Sequence, residues 1–170
     1  MGYNYEKEDS NHEKFLIHLN NSSEAVFVVA KYLYLKGLDV RINALKKSKS
    51  HSEWKKFKDD GDLFIYHKKN KYRIEVKGLS CDFTDDKDWA FKDFIVCAKH
   101  SYDNAKLKPY AYFILNKNKT HIGRVKSSTK HNWNVVSRKD NRYKNVKQEF
   151  YTCELSDIEW INITPNKNII

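Results

Sequence analysis

The chain is short of the residues that announce a special class of protein. Only three of its 170 residues are cysteine: Cys81, Cys97 and Cys153. None stands in a Cys-x-x-Cys, and an odd count leaves no closed disulfide set, so reduced, semi-buried thiols of a cytosolic protein are expected. No Cys/His grouping has zinc-ligand spacing, which argues against a structural zinc site. Glycine is scarce, at five, and no Gly-rich phosphate loop is present, so an NTP-driven motor is unsupported. No apolar stretch approaches membrane-spanning length, and Met1–Glu6 carries no apolar run. Neither a membrane partner nor a signal peptide is therefore expected, and the expected location is cytoplasmic. With no internal repeat and no linker, residues 1–170 are expected to form a single domain.

What is present is positive charge and aromatic surface. The formal net charge is +10 and the isoelectric point about 9.3, a balance that favours a polyanionic partner, nucleic acid before membrane. Hydrophobic content of 40% with 14% aromatics fits a folded chain with a core. Frequent Lys, Asn and Ile suggest an AT-rich genome, such as that of a phage.

Periodicity organises the rest. Ser10 with Glu13 reads as a capping box for a short helix holding Phe15, Leu16 and Leu19. Ala25, Val26, Val29, Ala30 and Leu33 recur at helical spacing, so a second helix is expected from Glu24 to Lys36, with Gly37 at its C-terminal cap. Strands are expected over 40–44, 63–66, 72–77, 94–97, 111–115, 121–125 and 150–155. A helix is expected from Ser101 toward Leu107, stopping before Pro109. Residues 78–90 read as irregular and acidic. Residues 46–60 read as a basic connection and 126–147 as a basic segment with Trp133 and Tyr143 interleaved.

The sharpest feature is Gly61-Asp62-Leu63-Phe64-Ile65-Tyr66 followed by Tyr72-Arg73-Ile74-Glu75-Val76-Lys77-Gly78. Side chains alternate in a strand, so Tyr72, Ile74 and Val76 face one way and Arg73, Glu75 and Lys77 the other. Two carboxylates and a lysine then converge on one side of a hairpin. That supplies hard oxygen ligands for magnesium and an amine beside an attacking water, the needs of a metal-dependent phosphodiesterase. A second Glu-x-Lys, Glu53-Trp54-Lys55, lacks the alternating apolar pattern and reads as surface.

The order of helix, three strands, helix and strand, with Asp62, Glu75 and Lys77 at these places, resembles the PD-(D/E)xK, or restriction-endonuclease-like, nuclease superfamily. It is most similar to Holliday-junction resolvases and small phage or restriction nucleases. The resemblance covers about residues 22–115; residues 116–170 would be a basic C-terminal extension. No proline precedes Asp62, where Asp60-Gly61 stands instead. The resemblance implies an α/β fold with an αβββαβ core and a mixed central sheet flanked by helices. It implies a metal-dependent DNA endonuclease, with Mg2+ or Mn2+ held by Asp62, Glu75 and the main-chain carbonyl of Val76. Lys77 would orient or deprotonate the attacking water, and Glu24 would complete the site.

Other readings stand beside these. Asp62 could be a turn residue and Glu75–Lys77 an exposed strand face; Glu24 could answer only the helix dipole. The segment holding Lys126, Lys130, Arg138 and Lys139 is either a DNA-contacting flap or a solvated basic loop. A silent nucleic-acid-binding module on the same fold and an RNA-directed nuclease are the rival functions. A homodimer is expected if both strands of a duplex are cut, since one chain supplies one site.

Overall fold

A computed structural model describes residues 23–43, 61–140 and 146–164. The expected helix over residues 10–19 and the basic connection 46–60, with Glu53-Trp54-Lys55, lie outside the described residues. The first element is helix α1, residues 23–35. It buries Ala25, Val26, Val29, Ala30 and Leu33, the stripe that the helical spacing marks out. It ends where expected: Gly37 takes a φ of +81°, and the Leu38 N–H reaches back to the Leu33 carbonyl, closing the helix with a left-handed cap.

Nine strands follow among the described residues: β1 (Asp39–Ile42), β2 (Leu63–His67), β3 (Asn70–Gly78), β4 (Phe94–Ala98), β5 (Ala111–Leu115), β6 (His121–Lys126), β7 (Asn134–Asp140), β8 (Val146–Cys153) and β9 (Ile158–Asn162). Six of them make one large mixed sheet in the order β1-β2-β3-β5-β6-β9. Its β3–β5 pair is parallel and the other pairs are antiparallel. The protein is therefore α/β with a mixed sheet. The remaining strands form a small antiparallel sheet in the order β4-β8-β7.

Alternation along β3 and β5 gives the large sheet two buried faces. Ile74, Val76, Ala111, Phe113 and Leu115 pack with the α1 stripe. Tyr112, Ile114, Val125 and Ile158 face the other way, against Phe94, Val96, Trp133 and Tyr151. A strand covered on both sides must be apolar at nearly every position, and β5, Ala-Tyr-Phe-Ile-Leu, is buried throughout. The sequence implied a sheet flanked by helices; here the second face carries the small sheet instead. Helix α2 (Lys99–Asp103) is also shorter than expected and begins earlier. Its chain leaves the helix near Ala105, well before Pro109, because the Lys108 ammonium takes the Tyr102 and Asp103 carbonyls, both at 2.7 Å.

The C-terminal stretch differs most. Residues 126–147 are not one basic loop. Lys126 ends β6, a 3-10 turn spans Ser127–Asn132, and β7 pairs with β8 from Asn134 opposite Thr152 to Asp140 opposite Val146. The expected strand over 150–155 starts earlier and ends earlier, as β8 (Val146–Cys153), and β9 (Ile158–Asn162) is a further strand that the sequence did not mark.

Candidate active site around Asp62, Glu75 and Lys77

The β2–β3 hairpin turns at Lys68 and Lys69, and β3 outruns β2. Leu63, the first residue of β2, pairs with Ile74, so Val76 lies beyond the ladder on that side. Its N–H would lose a partner there, and the Asp62 carboxylate supplies one: Val76 N donates to Asp62 Oδ2 at 2.7 Å. Asp62 is thereby fixed against the peptide segment that separates Glu75 from Lys77.

Glu75 and Lys77 project from the face covered by the small sheet. The Arg73 guanidinium meets Glu75 with two nitrogens on one oxygen, Nε and Nη2 each 2.7 Å from Oε1. Its Nη1 donates to the Leu107 carbonyl at 3.1 Å. Gly61 lies directly over this pair with a φ of +126°; a Cβ there would stand 2.6 Å from Arg73 Nε and 3.0 Å from Glu75 Oε1. Lys77 Nζ donates to the Val96 carbonyl of β4 at 2.7 Å and lies 5.8 Å from the centre of the Tyr112 ring. The Glu75–Lys77 face is therefore half-buried rather than an exposed strand face.

Tyr112 and Cys97 complete the wall beside these charges. Burial pushes the Tyr112 hydroxyl well above its ordinary value, reinforced by Cys97 and by the nearby Glu75 charge. Burial likewise pushes the Cys97 thiol up, with Lys77 pulling the other way. Both groups stay neutral, so the charges in this wall come from Arg73, Glu75 and Lys77.

Glu24 is not drawn into this cluster. Its carboxylate is 2.9 Å from Lys119 Nζ, in the turn between β5 and β6, and it is exposed. That pairing lies on the β5 side of β3, whereas Asp62 stands on the β2 side. The four basic residues expected to touch nucleic acid do not form one strip. Lys126 Nζ is 3.9 Å from Glu159, and Arg138 pairs with Asp93. Lys130 Nζ sits 3.9 Å from the Tyr151 ring centre, with Trp133 and Tyr102 at 5.7 and 5.9 Å. Lys139 is exposed on β7. A cavity of about 250 Å³, lined by Leu33, Ile65, Tyr72, Tyr110, Phe113 and Arg124 among others, opens on the α1 face of the large sheet, away from Glu75 and Lys77.

No family model matches this chain. No curated protein and no solved structure matches it significantly either. Its chemistry is therefore read from the side chains alone. Among the described residues, no group of three or more His, Cys, Asp or Glu side chains gathers to hold a metal. Among the described residues, the oxygen ligands around Val76 are the Asp62 and Glu75 carboxylates and the Val76 carbonyl. That set fits a hard cation of the magnesium type, which keeps several waters and takes only one or two carboxylates from a protein. The bond from Val76 to Asp62 brings one carboxylate to the peptide that carries the other.

Sequence reasoning assigned no role to Arg73, Tyr112 or the Val96 carbonyl. For Arg73 a signal existed, since alternation puts it on the Glu75 face. For Val96 there was none, because a main-chain carbonyl leaves no mark in a sequence.

Proposed function

We propose that the chain is a metal-dependent DNA endonuclease with a restriction-endonuclease-like core, acting through Asp62, Glu75 and Lys77. One observation carries the reading: the Asp62 carboxylate is bonded to the N–H of Val76, the residue between Glu75 and Lys77. The element order α1, β1, β2, β3, β4, α2, β5, with β4 paired in the small sheet and β3 parallel to β5, supports the core in part, and a net charge of +10 supports a polyanionic substrate.

Asp62, Glu75 and the Val76 carbonyl would hold Mg2+ or Mn2+, which when bound supplies Lewis-acid stabilisation of charge on a phosphodiester. Lys77 has its ammonium fixed by Val96 and Tyr112, so it can orient an attacking water and steady charge on the phosphate with little reorganisation. The small sheet keeps bulk water from one side of these groups. A cytoplasmic homodimer, one site per DNA strand, belongs to the same proposal.

A silent nucleic-acid-binding module is favoured by a different observation. Glu75 and Lys77 already have internal partners, in Arg73 and the Val96 carbonyl. A cleavage panel separates the two: linear, nicked, branched and single-stranded DNA, with RNA, in Mg2+ or Mn2+. The nuclease reading expects metal-dependent cutting of DNA that Asp62→Asn, Glu75→Gln and Lys77→Met each reduce at least a hundredfold while far-UV circular dichroism is unchanged. Binding without cutting in every arm sinks the enzyme and leaves the module. Faster cutting of RNA than of any DNA moves the substrate to RNA.

A further inference from the structure

We propose that Arg73 is a positioning residue for Glu75, holding Oε1 so that the carboxylate keeps a fixed orientation toward a divalent cation. This rests on the metal-site reading above and adds a residue that the reading does not use. Three observations converge on it. Arg73 commits two donors to the same oxygen, so the carboxylate plane is steered rather than merely neutralised. The guanidinium is itself tied down by the Leu107 carbonyl, and its side chain is only 13% exposed. Gly61 backs the same pair, where a Cβ, if present, would stand 3.0 Å from Oε1.

A glutamate carboxylate rotates broadly about its last torsion when nothing holds it. Here Arg73 holds Oε1 with two donors. An arrangement in which a ligating carboxylate spends its other oxygen on an outer partner is common in metal sites, and losing that partner typically lowers metal affinity about 10–100-fold. The opposite effect is electrostatic: a guanidinium beside Glu75 repels a dication. The two effects differ in sign, so they can be separated. Arg73→Lys keeps the charge and loses the two-donor fork, whereas Arg73→Gln loses both.

The test is calorimetric titration of Mn2+ into the full-length protein without DNA. Positioning predicts that Arg73→Lys and Arg73→Gln both bind Mn2+ about tenfold more weakly or worse, with urea midpoints followed in parallel. Tighter binding by Arg73→Gln than by wild type makes Arg73 a competitor of the metal and overturns the inference. Affinities within twofold of wild type in both variants overturn it as well. A measurement on the wild-type protein stands even if a variant misfolds: the Arg73 Nε–H resonance should stay protected when Mg2+ saturates the site, and its collapse to the free-arginine position would mean expulsion. Wild-type protein that binds no Mn2+ at all refutes the metal site itself, a result distinct from any of the Arg73 outcomes.

Discussion

Gly61→Ala tests the geometry of the site without removing any charged group. The backbone φ of +126° is open to glycine and strained for alanine, at about 1–3 kcal/mol. Alanine also restricts the unfolded chain, which offsets about 0.4–1 kcal/mol of that. The new Cβ meets Arg73 Nε at 2.6 Å and Arg73 Cγ at 2.8 Å. Arg73 cannot swing aside cheaply, because it is bound at one end to Glu75 and at the other to Leu107. Breaking the mostly buried, charge-assisted contact costs about 1.5–3 kcal/mol. The sum is about 2–5 kcal/mol, or a fall in melting temperature of about 4–20 °C for a chain of this size. Urea denaturation should show a lower midpoint at an unchanged slope. Repeating the substitution in an Arg73→Ala background removes the clash, so the two changes should couple by at least about 1 kcal/mol. A Gly61→Ala protein with the wild-type midpoint, or strict additivity in the double variant, would show that Gly61 does not press on the Arg73–Glu75 pair.

Gly123→Ala should destabilise by about 1–3 kcal/mol through overpacking, because its Cβ would stand 2.9 Å from Phe94 Cζ. The ring cannot yield between Trp89 and Trp160, so Phe94→Leu in the same chain should recover part of the loss in a urea titration. Burial pushes the Cys153 thiol up to about 12, from 9.0 when unburied. A raised thiol value means stability is fully present below pH 9 and is lost as pH rises toward 12; Cys153→Ala should flatten that alkaline fall in melting temperature, and an equally steep fall would refute the assignment. At pH 8 thiol titration of the native protein should modify Cys81 first and reach buried Cys97 and Cys153 only in denaturant. Replacing Lys126 and Lys139 with Ala should lower the log-log salt slope of DNA binding by about 0.9 for each that meets a phosphate, and an unchanged slope would remove both from the interface.

Much of the large sheet was legible because its signals are local. Helix α1 follows from five apolar positions at one spacing and a glycine after them. The facing of Arg73, Glu75 and Lys77 follows from alternation alone. What lay over that face was not legible, since an apolar strand such as Phe94-Ile95-Val96-Cys97 does not name its partner. It pairs with β8, far along the chain, and so the burial of Lys77 had no local signature. The strand β7 was hidden for a different reason. It is an edge strand, and after Val135 and Val136 it turns to Ser, Arg and Lys, the composition of a solvated segment. The ion pair of Glu24 with Lys119 left no local signal, because its partner is remote in sequence.

The small sheet has a bearing on how the protein is made. Strand β4 lies between β3 and β5 in the chain, yet its hydrogen-bonded neighbour is β8, where Phe94 stands opposite Cys153. During synthesis the residues that grip Lys77 therefore leave the ribosome well before the strand that holds them in place. At roughly 5–20 residues per second that interval is about 3–12 s. Until then Phe94 and Val96, both wholly buried in the finished protein, are a sticky edge exposed to other nascent chains. A fragment cut after residue 115 would lack β8, so the strand that clasps β4 comes from the C-terminal part of the chain.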